Sequence, residues 1–245
     1  VTKDTQPQSK RKSRRGADAS PNLNRDVIIA SALELIDESG LEIFSLRTLA
    51  QKLGVYPTAV YWYVPNRNEL LALVVTHILA KVQVDRRRRA WQHSLRDLFQ
   101  NFRSAVAAHP NAAPLIGTAL VSNTEMSFDF VEHLLSTLSR AGLAGAKLVA
   151  AYNSVVAALV GFVAQEFASM PKEDSVAWQM SVQQRLLNVD PEIHPILAGN
   201  LRLLSNKAFI LRWQNGTEAP LADSYDIFID IIIGGIEAIG GKSEG

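Results

Sequence analysis

Tyr61, Trp62 and Tyr63 follow one another in the chain, with Arg47 upstream and Arg67 downstream. On a helix, three consecutive aromatic rings cannot share one buried face, so some must meet solvent. Exposed phenol and indole groups can donate to phosphate oxygens while their rings press on sugars, and flanking guanidinium groups add positive charge. That is the chemistry of nucleic-acid binding. The parts of an enzyme do not assemble in the same way: there is no glycine-rich phosphate loop, no cysteine, and no nucleophile spaced for a base. His77, His93, His109, His133 and His194 are scattered, and the neighbours Asp129 and His133 read as a surface ion pair rather than a metal site. No catalysis, cofactor or metal is expected.

Charge is unevenly spread along the 245 residues, and the asymmetry says more than the net +1. Residues 1–90 hold 15 Lys+Arg against 9 Asp+Glu, a balance of +6; the rest holds 10 against 15, a balance of −5. A basic head on an acidic body suits a duplex binder with a separate second domain, because neutralised phosphates supply most sequence-independent affinity. The absence of cysteine fits a reducing compartment. The polar, basic start has no apolar signal-peptide core and no membrane span is expected, which together place the protein in the cytoplasm.

The elements that must position these side chains read as all-α. Residues 1–22 form a basic arm too poor in apolar groups to fold alone, with Lys10, Arg11, Lys12, Arg14 and Arg15 packed together. Apolar residues from Leu23 recur at helical spacing until Gly40. Ser45 caps a second, short helix ended by Gly54; Pro57 opens a third that carries Val60 and the aromatic triplet up to Pro65. A fourth helix starts near Arg67. Further helices are predicted over 91–108, 111–118, 124–141, 144–169, 173–188 and 221–240, with residues 189–220 the irregular stretch. Two short helices joined through a glycine behind a stabilising first helix make a helix-turn-helix, and look-alikes of that pattern also occur in plain helical packing.

The segment from Leu23 to Leu71, with "SLRTLAQKLGV", "TAVYWYV" and "NRNELL", resembles the DNA-binding domain of the TetR family of regulators, and its tetracycline repressor subgroup in particular. The resemblance implies a helix-turn-helix domain over 23–70 and a larger helical domain for effector binding and dimerisation over 71–245. It places Thr58, Ala59 and Tyr61 to Tyr63 on the recognition helix, with Arg47 reaching a base edge and Arg67 holding phosphate. Ser45, Tyr56 and Pro57 complete the candidate DNA contacts; Tyr56, Pro57 and Ala59 depart from the subgroup, which implies a different operator. The partners expected are a double-stranded DNA operator, a small-molecule effector and a second copy of the chain.

In this family two long helices pair with their twins, and 144–169 and 221–240 are the candidates, rich in small residues such as Ala150, Ala157, Gly161, Gly234 and Gly235. The stretch "WQHSLRDLFQNFR" extends the likeness and carries Phe102 over as a pocket residue. Leu98 and Ile116 stand where the subgroup uses an asparagine and a histidine for its drug and magnesium, so a different effector is expected. Phe128, His133, Tyr152, Asn153 and Phe162 are further pocket candidates, being polar or aromatic groups on otherwise apolar helices. The expected function is repression of transcription, relieved by a mainly apolar ligand; the alternative is a DNA-binding regulator controlled by a protein partner. The basic arm either tracks the minor groove or keeps the terminus soluble. If it contacts DNA, deleting residues 1–20 weakens operator binding and flattens its salt dependence in a titration at several salt concentrations; an unchanged slope rules the contact out.

Overall fold

The computed structural model describes residues 23–82, 90–122, 128–171 and 173–241, which fold without any strand. The basic arm, the Arg86–Arg89 run and the first residues of the helix expected over 124–141 lie outside them. Helix α1 (Arg25–Ser39) begins where the Asn24 side chain accepts from the Val27 amide at 2.9 Å, satisfying an otherwise orphaned donor. Helix α2 (Leu46–Lys52) is capped by a reciprocal box in which the Ser45 and Thr48 side chains each accept from the other's backbone N–H. Gly54, at φ +67°, takes the left-handed turn that leads into α3 (Pro57–Tyr61), where Pro57 occupies the first turn. Helix α3 is shorter than its sequence suggests. It ends at Tyr61, and Trp62 and Tyr63 lie in the turn that follows.

Helix α4 (Arg67–Leu79) runs without a break across the expected division at residue 70, so the head and body share one helix. Ile28, Ile36, Leu49, Val60, Val64 and Leu70 are fully buried and close the head around it. Behind it, α5 (Trp91–Ala107) is the axis of the body, in contact with α4, α7 (Phe128–Arg140), α8 (Gly145–Glu166) and α11 (Ala222–Gly240). A 3₁₀ turn over Pro110–Ala112 leads into α6 (Ala113–Ser122), which lies against α4 and α8. Helix α8 stops at Glu166, three residues short of expectation, and the region expected to be irregular contains α10 (Pro195–Leu204), initiated by Pro195 at its first position. Proline and glycine density misled there, because a proline at a helix start costs nothing.

Neither α9 (Ser175–Leu187) nor α10 buries a residue, although Val176, Met180, Leu187, Ile196 and Leu203 are apolar. Helix α8 is long and apolar enough to cross a membrane by length and composition, yet only 22% of its most apolar stretch is buried within the chain. Its open face holds Ala146, Val149, Ala150 and Ala157; α11 likewise exposes Ile227, Ile231, Gly234 and Gly235.

One buried charge organises the far end of the body. Glu166 is completely buried and takes two hydrogen bonds from Arg103, Nε at 2.8 Å and Nη2 at 2.6 Å, plus one from the Leu221 amide at 2.8 Å. The backbone of Gly216 donates to the Glu166 carbonyl at 2.7 Å, and a Cβ at 216 would lie 2.5 Å from Glu166 Cγ. Glu166→Gln therefore costs about 3 kcal/mol in chemical denaturation at fixed protein concentration, because Arg103 loses its partner in a poorly solvated place. Combined with Arg103→Met the two losses are less than additive by about 1 kcal/mol or more, and purely additive losses would mean that the pair is uncoupled.

Candidate DNA-binding head and ligand-binding body

The head presents a surface that packing does not use. Tyr56 is 84% and Trp62 87% exposed, Tyr61 and Tyr63 are roughly half exposed, and Pro57 and Thr58 are also open to solvent. Ala59 is half-buried, while Val60 and Val64 turn inward and hold the segment to the core. Arg47, on the outer face of α2, is exposed and makes no hydrogen bond or ion pair among the described residues. An unpaired guanidinium beside a row of exposed aromatic rings and hydroxyls is suited to an anionic, stacked partner.

Two residues carried into this group already have structural duties. The Ser45 hydroxyl is engaged in the cap of α2, accepting from the Thr48 amide at 3.1 Å. Arg67 donates to the carbonyls of Phe44 and Leu41, each at 3.3 Å, and lies 5.6 Å over the Phe44 ring. It pins the turn between α1 and α2 to the start of α4, and thereby fixes where α2 can present Arg47. The residue as a whole is nonetheless exposed.

The head is joined to the body by a second link besides α4. His109 Nδ1 lies 2.8 Å from Asp37 Oδ2 near the end of α1, and the Asn111 side-chain amide donates to the Asp37 carbonyl at 2.8 Å. Asn111 thus satisfies one of the carbonyls that the end of α1 would otherwise leave open. Neither residue stands out in the sequence; a histidine and an asparagine flanking Pro110 were the available signal.

In the body, the pocket candidates do not converge on one point. Phe162 sits in an aromatic cluster with Phe209, Tyr225 and Phe228 at centroid separations of 5.0, 4.9 and 5.0 Å, and Phe99 joins through Phe228 at 5.7 Å. Phe102 is buried one turn along α5 from Phe99. Tyr152 is half-buried nearly three turns before Phe162 on α8, and burial raises its hydroxyl pKa above the usual value. Its neighbour Asn153 is exposed; His133 is half-buried, and Phe128 is 83% exposed at the start of α7. Leu98 and Ile116 are buried apolar side chains.

The sequence reading missed the polar edge of this cluster. The Tyr225 hydroxyl donates to the Phe99 carbonyl at 2.7 Å, and burial pushes its pKa far up, so it stays a donor. Arg103 lies 5.2 Å over the Tyr225 ring while bridging to Glu166. Arg212 is also buried; it donates to the carbonyls of Gln214 and Ala219, and burial lowers its pKa from the usual guanidinium value. A lone glutamate closing the apolar run of α8 was the signal that could have found them.

Comparison with known proteins covers both parts. Residues 28–74 match the family described as bacterial regulatory proteins, tetR family, and residues 85–239 match the tetracyclin repressor-like C-terminal domain. The class E tetracycline repressor of Escherichia coli is 32% identical over 157 residues, covering 62% of this chain and 73% of that protein. BioQ, solved with its natural double-stranded DNA operator, is 27% identical with a TM-score of 0.56, covering 66% of this chain and 98% of that one. ActR of Streptomyces coelicolor, solved with actinorhodin, superposes with a TM-score of 0.68 at 22% identity, covering 91% of this chain and 100% of that one. With the head, the shared helix and the all-helical body in the matching order, the chain belongs to the TetR family and is a DNA-binding transcriptional regulator rather than an enzyme.

Proposed function

We propose that the protein is a repressor that binds a palindromic operator as a homodimer and leaves it when a small, mainly apolar effector enters the body. The observation that carries the reading is the joint exposure of Arg47, unpaired among the described residues, and of the side chains of Tyr56, Pro57, Thr58, Tyr61, Trp62 and Tyr63, none of which the core uses. Arg47 reads a base edge, the aromatic hydroxyls and Arg67 hold the phosphate backbone, and Ser45 sets the N-terminus of α2 against it.

Pairing through α8 and α11 is supported by the small and apolar residues that both helices leave open, since a symmetric four-helix interface covers them in one step. The dimer sets two heads at successive half-sites. For the effector, the aromatic cluster around Phe162 offers ring faces, with the Tyr225 and Arg103 groups at its edge, and Phe102 and Tyr152 extend the apolar lining. Phe128, His133 and Asn153 belong to the rim in this reading. Buried Leu98 and Ile116 offer no polar atom for a magnesium-bound drug. ActR, of the same fold, was solved with actinorhodin, which fits a ligand-accepting body.

Release follows from a population shift. Ligand between α5, α8 and α11 displaces α6 against α4, and the head moves with α4 because Arg67 ties its start to the α1–α2 turn.

The test is binding to a palindrome-containing fragment from upstream of the protein's own gene, measured at two salt concentrations. Arg47→Ala removes one contact from each half-site, so it weakens binding about a hundredfold or more and relaxes preference at one base pair per half-site, each bidentate base contact being worth about 1–3 kcal/mol. Arg67→Ala lowers the thermal midpoint as well as affinity, because it also loosens the α1–α2 turn. Binding without sequence preference, indifferent to Arg47→Ala, would overturn the reading of the head. A screen of apolar compounds that releases no bound protein would overturn the effector reading alone.

A further inference from the structure

The recognition segment lacks every side chain that reads a base through paired hydrogen bonds. From Val55 to Pro65 there is no Arg, Lys, Asn or Gln. The next amide, Asn66, spends its side-chain oxygen on the Glu69 backbone at the start of α4. What α3 offers the groove is carbon surface and hydroxyl: the exposed ring of Pro57, the exposed Thr58 with no hydrogen-bond partner among the described residues, and the small, half-buried Ala59.

The base pairs differ in what they accept from such a surface. Guanine is recognised by guanidinium or ammonium groups and adenine by amides, whereas a hydroxyl suits several bases. The thymine methyl is the base feature recognised by apolar contact. Resting on the assignment of the head as a duplex reader, we propose that the first turn of α3 reads thymine methyl groups through Pro57, Thr58 and Ala59, leaving guanine to Arg47 from α2. Helical residues rise about 1.5 Å each and stacked bases about 3.4 Å, so these three residues span at most two adjacent base pairs. Each half-site then carries one or two adjacent thymines under α3, and a hydroxyl contact from Thr58 refines rather than sets the choice.

The experiment uses the full chain and duplexes selected from a randomised palindromic pool. Thymines of the selected sequence are replaced one at a time by deoxyuridine, which removes only the 5-methyl group. Uracil at one or two positions per half-site is expected to weaken binding about fourfold each, the worth of one buried methyl group, and about fifteenfold when both symmetric positions are replaced. Against Pro57→Ala the penalty falls towards onefold, because the contacting surface is already gone. Ala59→Gly serves the same purpose should Pro57→Ala shift the thermal midpoint. Full affinity for every uracil duplex, with specificity intact, would overturn the proposal and leave the DNA-reader assignment standing. Failure of the pool to yield a preferred sequence would overturn the assignment and the proposal together.

Discussion

The carboxylate of Glu166 holds together the three helices on which the body depends. It closes the C-terminal end of α8, accepts from Nε and Nη2 of Arg103 on α5, and caps the approach to α11 by accepting from the Leu221 amide. A fully buried carboxylate is tolerated only when each oxygen is satisfied, and here Oε1 accepts from Arg103 and the Leu221 amide and Oε2 from Arg103. The long segment between α10 and α11 is folded onto the same place. Gly216 has to approach Glu166 and Phe167 without a side chain, and Asn206 accepts from the amides of Trp213 and Gln214, each at 3.1 Å. The Leu221 bond holds the start of α11 to the end of α8, and the rings of Phe162, Tyr225 and Phe228 pack the same two helices together, both of which leave small-residue faces open.

The head is built on a different principle. Its core is almost purely apolar, and polar groups act at its edges as caps and ties. Ser45 and Thr48 start α2, Asn66 starts α4, and Arg67 reaches back to the carbonyls of Leu41 and Phe44. The separate link from Asp37 to His109 and Asn111 gives the body a hold on α1 as well as on α4. Two attachments at different points of a small domain hold it against the body more firmly than a single tether would.

The head was legible because each of its decisions is local. Capping residues, a turn glycine and a proline at the first helical position act within a few residues, and their spacing alone predicts α1 to α4 to within a turn. The aromatic triplet was also legible in kind: side-by-side rings had to be exposed, and they are. Its helical extent was not, since α3 ends at Tyr61. The body was legible as helices but not as a site. Phe162 stood out as an aromatic on a small-residue helix, whereas Glu166, Arg103 and Tyr225 acquire their meaning only from contacts across 55 to 126 positions of sequence. Asn153 and Phe128 looked anomalous in the same way, yet the fold leaves both exposed. The helix at Pro195 was hidden by the reputation of its first residue.

The division of labour between Tyr56 and Val64, on and around α3, has an evolutionary corollary. Val60 and Val64 carry the packing, and Tyr56, Pro57, Thr58 and Trp62 face outward. Substitutions at such outward positions ordinarily change stability by less than about half a kcal/mol, whereas those at the two valines meet the core. This outward surface can therefore drift through sequence space at almost no cost to folding. A duplicated copy of this chain can change this outer surface in one or two steps while keeping its fold.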